Sequence, residues 1–184
     1  MKSYDELKAL IEQRGVHAEF GDAGEGWGIE QSPHELATFL VRMQELGVAS
    51  VLEIGTGYKA GLSHFLALDM GWNVYSIDVQ DYGHKKTVPH ESVLFQVVKP
   101  GEFIRPYTDL DLVFIDGNHS YDSVKADYEH YGKRAVKAIA FHDIAGLRQC
   151  EGVQRFWLDS YWIPESKREI IAPAKQSGIG WIEL

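Results

Sequence analysis

The chain has 184 residues, 45% of them hydrophobic and 24% charged, the balance of one ordinary globular domain large enough to bury a substantial core. A formal charge of −9 argues against a broad phosphate-binding surface, hence against nucleic acid, and favours a small or neutral ligand. Cys150 is the only cysteine, which excludes an internal disulfide, and no apolar run approaches the length of a membrane span.

Met1 to Arg14 is charged and lacks the apolar centre of a signal peptide, so a cytoplasmic protein is expected. Ser3-Tyr4-Asp5-Glu6 has the form of a capping box, Leu7, Leu10 and Ile11 make one helical stripe, and Gly15 ends it. Gly21 to Gly28 is too rich in glycine for regular structure. Trp27 within it reads either as the packing residue of a linker or as part of a lid. Residues 1–28 are therefore taken as a helical arm with a glycine-rich segment, and 29–184 as the ligand-binding domain. Ser32-Pro33-His34-Glu35 has the form of a second capping box, with Gln31 at the helix entrance. Leu36, Phe39, Leu40 and Met43 form its buried stripe, and Gly47 stops it.

The stretch Val51 to Gly61 organises the rest. A short apolar run breaks into a loop with Gly55, Thr56, Gly57 and Gly61, and helical spacing begins at Leu62. One glycine turns the chain sharply, a second lets the backbone approach a ligand, and a third lets helix and strand pack closely. Leu62, Phe65, Leu66 and Met70 continue the helix to Gly71, and Val74 to Ile77 supplies the next strand. Asp78 ends that strand twenty-three residues after Gly55, where Rossmann-type folds place an acid to accept hydrogen bonds from ribose hydroxyls. That spacing serves NAD and other adenosine cofactors alike.

Val79 to Pro89, with His84, Lys85 and Lys86, reads as a polar loop, and Val93 to Val98 as a third strand leaving through Lys99-Pro100-Gly101. Glu102 to Leu110 crosses over with a poor helical pattern. Asp111 to Ile115 is a continuous apolar run after its first residue, as expected of a central parallel strand, and ends in Asp116-Gly117-Asn118-His119. Tyr121, Val124, Tyr128 and Tyr131 mark a helix face; Ala138 to Phe141 makes a fifth strand that finishes in His142-Asp143. Neighbouring parallel strand ends share one rim, so Asp116 and Asp143 can converge. Val153, Phe156, Trp157 and Tyr161 indicate another helix, with Pro164 as a break. Arg168 to Ala172 and Ile179 to Leu184 are expected to form an antiparallel hairpin. The expected fold is α/β: a Rossmann-like, doubly wound, mostly parallel seven-stranded sheet with a C-terminal antiparallel hairpin.

Glu53 lies two residues before Gly55, where a dinucleotide fold has no evident use for an acid. S-adenosylmethionine, by contrast, carries an ammonium group that needs a carboxylate. On Glu53, Gly55 and Gly57 the chain resembles the class I S-adenosylmethionine-dependent methyltransferases; a plain turn beside a surface glutamate is the other reading. The Asp116-Gly117-Asn118-His119 segment and the later His142-Asp143 resemble the macrocin O-methyltransferase and cephalosporin-hydroxylase-like group. That resemblance implies cofactor contacts at Glu53, Gly55, Thr56, Gly57, Gly61, Asp78 and Asp116, and His119 as general base. It also implies a magnesium site at Asp116 and Asp143 with His142 beside them. His142 departs from the group, where an acidic or amide residue is more usual, and leaves a mixed ligand set, a weaker site, or a second histidine without metal. The implied activity is O-methylation of a hydroxylated small molecule, sugar-like or phenolic. A metal-independent N- or carboxylate methyltransferase, a NAD-dependent oxidoreductase and a silent cofactor-binding module are the alternatives. Homo-oligomerisation stays open.

Overall fold

The computed structural model describes residues 1–15, 28–29, 31–58, 60–82, 92–99, 102, 109–146, 148–160, 166–172 and 177–184. Residues 21–27 of the candidate lid, Trp27 among them, His84 to Lys86, Pro100, Gly101, most of the Glu102 to Leu110 crossover, Tyr161 and Pro164 lie outside them.

Helix α1 (Tyr4–Arg14) starts at a complete capping box between Ser3 and Glu6 and stops at Gly15, whose φ of 85° is the left-handed conformation that glycine adopts freely. Helix α2 (Pro33–Glu45) begins with proline but without the expected box, because Ser32 makes no side-chain cap. Glu35 is fully buried and accepts from the Ala172 backbone N–H at 2.6 Å and the Ser177 hydroxyl at 3.3 Å. A tertiary demand for those two donors has overridden the local motif, and Glu35 pins α2 to the connection between the last two strands.

The remaining elements are β1 (Ser50–Ile54), α3 (Gly61–Leu68), β2 (Asn73–Asp78), β3 (Val93–Val97), β4 (Leu110–Ile115), α4 (Tyr121–His130), β5 (Ala135–His142), α5 (Glu151–Asp159), β6 (Lys167–Ile170) and β7 (Ile179–Glu183). The sheet order is β3-β2-β1-β4-β5-β7-β6, with β7 antiparallel to both its neighbours and all other pairs parallel. This is the doubly wound sheet with a closing hairpin that the sequence pattern predicts. The sixth strand starts and stops earlier than expected, since Ala172 is taken by Glu35.

Side chains alternate across the sheet and build two cores. Val51, Val74, Leu112, Phe114 and Ala140 face α1, α2 and α3, where Leu7, Ile11, Phe39 and Phe65 are also buried. Leu52, Ile54, Ile77, Val113, Ile115 and Phe141 face α4 and α5 through Val124, Phe156 and Trp157. Each large side chain removed from water in this way contributes roughly 1.5–3 kcal/mol. Together the two layers fix the carboxyl ends of β1, β2, β4 and β5 along a single rim. No helix among the described residues is long and apolar enough to cross a membrane.

Candidate functional site

A cleft of about 740 Å³ opens at that rim, within the size range of small-molecule and cofactor sites. Its floor is the loop after β1. Gly55 has φ 92°, and a Cβ there would stand 2.0 Å from the Asp116 carbonyl oxygen. Gly57, at φ 67°, has no atom of the described residues within 4 Å of where its Cβ would be, so a side chain there would be limited by the left-handed backbone and not by space. Gly61 is required for a reason the sequence does not reveal. Its Cβ would collide at 2.6 Å with the backbone of Gly28, so the segment entering α2 crosses directly over the start of α3. The close approach expected between helix and strand is made with that segment instead. Gly55→Ala is expected to cost about 3 kcal/mol or more, since both the left-handed backbone and the Asp116 carbonyl must give way. Urea denaturation measures it; a loss below about 1 kcal/mol would mean that the loop repacks easily.

Glu53 is 2% exposed and receives hydrogen bonds from the Ser63 and Ser76 hydroxyls, both on its Oε2. Burial pushes its carboxyl up to about 8, the two serines pull the other way, and the Asp116 and Asp78 charges push further up. Thr56, also buried, shares a 2.7 Å hydrogen bond with Ser76 and so completes the support of Glu53. Asp78 accepts from the Gly57 N–H at 3.1 Å and the Gln80 N–H at 2.9 Å, which ties the glycine loop to the end of β2.

Across the rim, the ends of β4 and β5 bring Asp116, His119, His142 and Asp143 together. His142 Nδ1 lies 3.2 Å from Asp116 Oδ1 and 3.4 Å from Asp143 Oδ2, while His119 Nε2 lies 3.2 Å from the same Asp143 oxygen. Asp143 has φ 58°, a left-handed conformation that aspartate tolerates better than most residues, and its carboxylate lies against both His119 and His142. Burial works against a charged His142, but Asp116 and Asp143 outweigh it and hold the imidazole well toward its protonated form. Burial likewise opposes ionisation of Asp143, yet the bonds from His142 and the charge of His119 carry its carboxyl below the usual range.

Three further residues complete the site. Gln31, 3% exposed, donates its Nε2–H to Asp116 Oδ2 at 2.7 Å and leaves its Oε1 buried without a partner among the described residues. Cys150 places its sulfur 3.3 Å from His119 Nδ1; burial, with Asp143 nearby, pushes its thiol up to about 12, so it stays protonated. Asp127, in the second turn of α4, lines the cleft and is pushed up to about 6 by burial. Ser76 and Ser63 were visible in the sequence as polar residues inside an apolar strand and an apolar helix. Cys150 carried no local signal.

No family model matches the sequence, and no curated protein matches it. Solved structures do match its fold. An O-methyltransferase from Bacillus cereus in complex with S-adenosylhomocysteine is 15% identical, with 98% of this chain and 90% of that one covered, at a TM-score of 0.59. The N-terminal domain of human METTL16 is 13% identical over 99% of this chain and 82% of that one, at 0.62. The MycE methyltransferase of the mycinamycin pathway, in complex with Mg, S-adenosylhomocysteine and mycinamycin VI, is 15% identical at 0.61; the match covers 99% of this chain and 54% of MycE. The chain has the fold of class I S-adenosylmethionine-dependent methyltransferases.

Proposed function

We propose that a chain with this fold and this rim is an S-adenosylmethionine-dependent methyltransferase acting on a hydroxyl of a small molecule, sugar-like or phenolic. One observation carries the reading: a buried carboxylate, Glu53, and a carboxylate-bound histidine, His119, line one cofactor-sized cleft together with the glycine loop. Glu53 takes the ammonium of the cofactor's amino-acid end, Gly57 lets the cofactor approach without a Cβ in the way, and Asp78 accepts from the ribose hydroxyls. Gly55, Thr56 and Gly61 act indirectly, by shaping the loop. Methyl transfer from the sulfonium is an in-line displacement, so the protein's task is to align the acceptor and make its oxygen nucleophilic.

His119 is placed to take the hydroxyl proton. With Nε2–H donated to Asp143, the Nδ1 lone pair is the basic atom, and the proton it gains leaves an imidazolium that Asp143 stabilises. The Cys150 thiol beside Nδ1 is a weak hydrogen-bonding group that a hydroxyl can outcompete. Among the described lining residues seven acidic side chains stand against the single lysine Lys99. An acceptor that is neutral or cationic therefore fits better than one carrying phosphates.

Asp116, Asp143 and His142 have a donor set that fits a divalent cation. Their separations of 3.2 and 3.4 Å match the spacing of about 3.0–3.4 Å between neighbouring ligands on bonds of about 2.1 Å. These three residues would hold the ion, with the imidazole favouring a transition metal over Mg2+. When bound, a divalent cation supplies Lewis-acid polarisation of the acceptor oxygen. One observation favours the metal-independent alternative. Among the described residues His142 Nε2 is buried with no partner, whereas an imidazole on a metal commonly donates its second N–H.

Isothermal titration with S-adenosylhomocysteine and with NADH, each with and without Mg2+ or Mn2+, tests the reading. Micromolar binding of S-adenosylhomocysteine is expected, with Mn2+ binding lost in Asp143→Ala. Binding of NADH alone would move the chain to the oxidoreductases, and Mn2+ binding indifferent to Asp143 would remove the metal from the proposal.

A further inference from the structure

The mechanism above uses Cys150 only as a weak hydrogen-bonding group beside His119. What sets a thiol apart from a hydroxyl in that place is its affinity for soft and borderline metal ions. Cys150 is fully buried, and close packing fixes it there. A Cβ on Gly152, two residues later in the first turn of α5, would stand 2.3 Å from both the His119 carbonyl oxygen and the Tyr121 backbone nitrogen, so α5 begins directly on the chain that carries His119. The sulfur lies 3.3 Å from His119 Nδ1, and His119 Nε2 lies 3.2 Å from Asp143 Oδ2. One nitrogen, one carboxylate oxygen and the sulfur of these three residues all lie within 4.8 Å of one another.

A tetrahedral zinc ion, with bonds of about 2.0–2.3 Å to nitrogen, oxygen and sulfur, sets neighbouring ligands about 3.3–3.6 Å apart. The two short contacts are close to that spacing. They use the two nitrogens of one ring, so the imidazole, whose side chain is 33% exposed, turns to commit a single nitrogen to the ion. His119 and Asp143 line the cleft, which gives the ion its way in. We propose that His119, Asp143 and Cys150 form a second metal site, selective for zinc-like ions and sharing only Asp143 with the Asp116 and His142 set. On binding, the thiol loses its proton to solvent, and thiolate, imidazole and carboxylate hold the ion with a water in the fourth position. The Asp116 and His142 set offers no sulfur, so a soft ion is drawn to Cys150. The site does not depend on the cofactor reading, but its consequence does: an ion on His119 occupies the base, and the proposed methyl transfer stops.

Cadmium is the probe, because its bond to a thiolate gives an ultraviolet charge-transfer band that bonds to nitrogen and oxygen do not. Titration of the full chain with Cd2+ alone is expected to raise a band that saturates at a single ion, fades when Zn2+ is added, and is missing from Cys150→Ser. His119→Gln and Asp143→Asn should each weaken cadmium by at least about tenfold, since a lost ligand costs more than a lost outer partner. Asp116→Asn, which touches only the other set, should leave the affinity nearly unchanged. Absence of a saturable band in the wild type overturns the proposal without recourse to any variant. So does a band of undiminished affinity in both His119→Gln and Asp143→Asn, which would show the cysteine binding cadmium by itself. Titration of the same wild-type preparation with S-adenosylhomocysteine separates the two readings. A cadmium band without ligand binding keeps the site and removes its effect on methyl transfer; ligand binding without a band removes the site and keeps the proposed function.

Discussion

Glu53→Gln is expected to abolish tight binding of S-adenosylhomocysteine while making the free protein more stable at pH 8.5. The carboxyl is almost wholly buried, and burial lifts it from an ordinary value of 4.5 to about 8. For a group raised in the folded state, stability is complete below the unfolded value and is lost as pH rises through the folded one. Glutamine never ionises, so the variant should gain on the wild type from about pH 5 upward and level off above pH 8. A shift of that size corresponds to a ceiling of roughly 4–5 kcal/mol. Ligand affinity moves the other way, because the amide offers an ammonium no counter-charge; a loss of at least about thirtyfold is expected for removing one partner of a desolvated charge pair. Urea unfolding at pH 5.5 and 8.5, with ligand titration at both, measures the two effects. A variant less stable than wild type at pH 8.5 would show that Glu53 is held by more than its two serines.

His119→Ala should lower kcat by about a hundred- to ten-thousandfold on the true acceptor, the usual worth of a positioned general base. Cofactor affinity should hardly change, since the ring contacts Asp143 and Cys150 and none of the residues assigned to the cofactor's amino-acid end. The split between the two readouts is what matters. If kcat is retained, the proton leaves by another route and the dyad with Asp143 is structural. If S-adenosylhomocysteine affinity falls with kcat, the histidine supports the cofactor and has been misassigned.

Much of this site was legible because it is built from strand ends. A run such as Leu112 to Ile115 followed by Asp116, or Ala138 to Phe141 followed by His142-Asp143, announces both the strand and the residue delivered at its rim. Parallel pairing then brings Asp116 and Asp143 to one rim, as the pattern allows, where His119 and His142 lie within hydrogen-bonding distance of them. Residues delivered by packing were not legible. Gln31 reaches Asp116 only because α2 packs against the sheet, and Cys150 reaches His119 through a short 3-10 turn that has no periodicity to read. Glu35 misled for the same reason. Its local motif was correct in form, but two donors 137 and 142 residues away in sequence claimed the carboxylate first.

The left-handed backbone at Asp143 limits what substitution can do there. Only glycine, asparagine and aspartate enter that conformation at small cost, so the accessible variants at this position differ in charge and donor capacity while the chain path stays fixed. Change at position 143 is thus confined to tuning the electrostatics of the rim. Asp143→Asn separates chemistry from shape in a way that Asp143→Ala does not. On the proposed function, a change of acceptor is expected to follow from charge at this position and from volume elsewhere along the cleft.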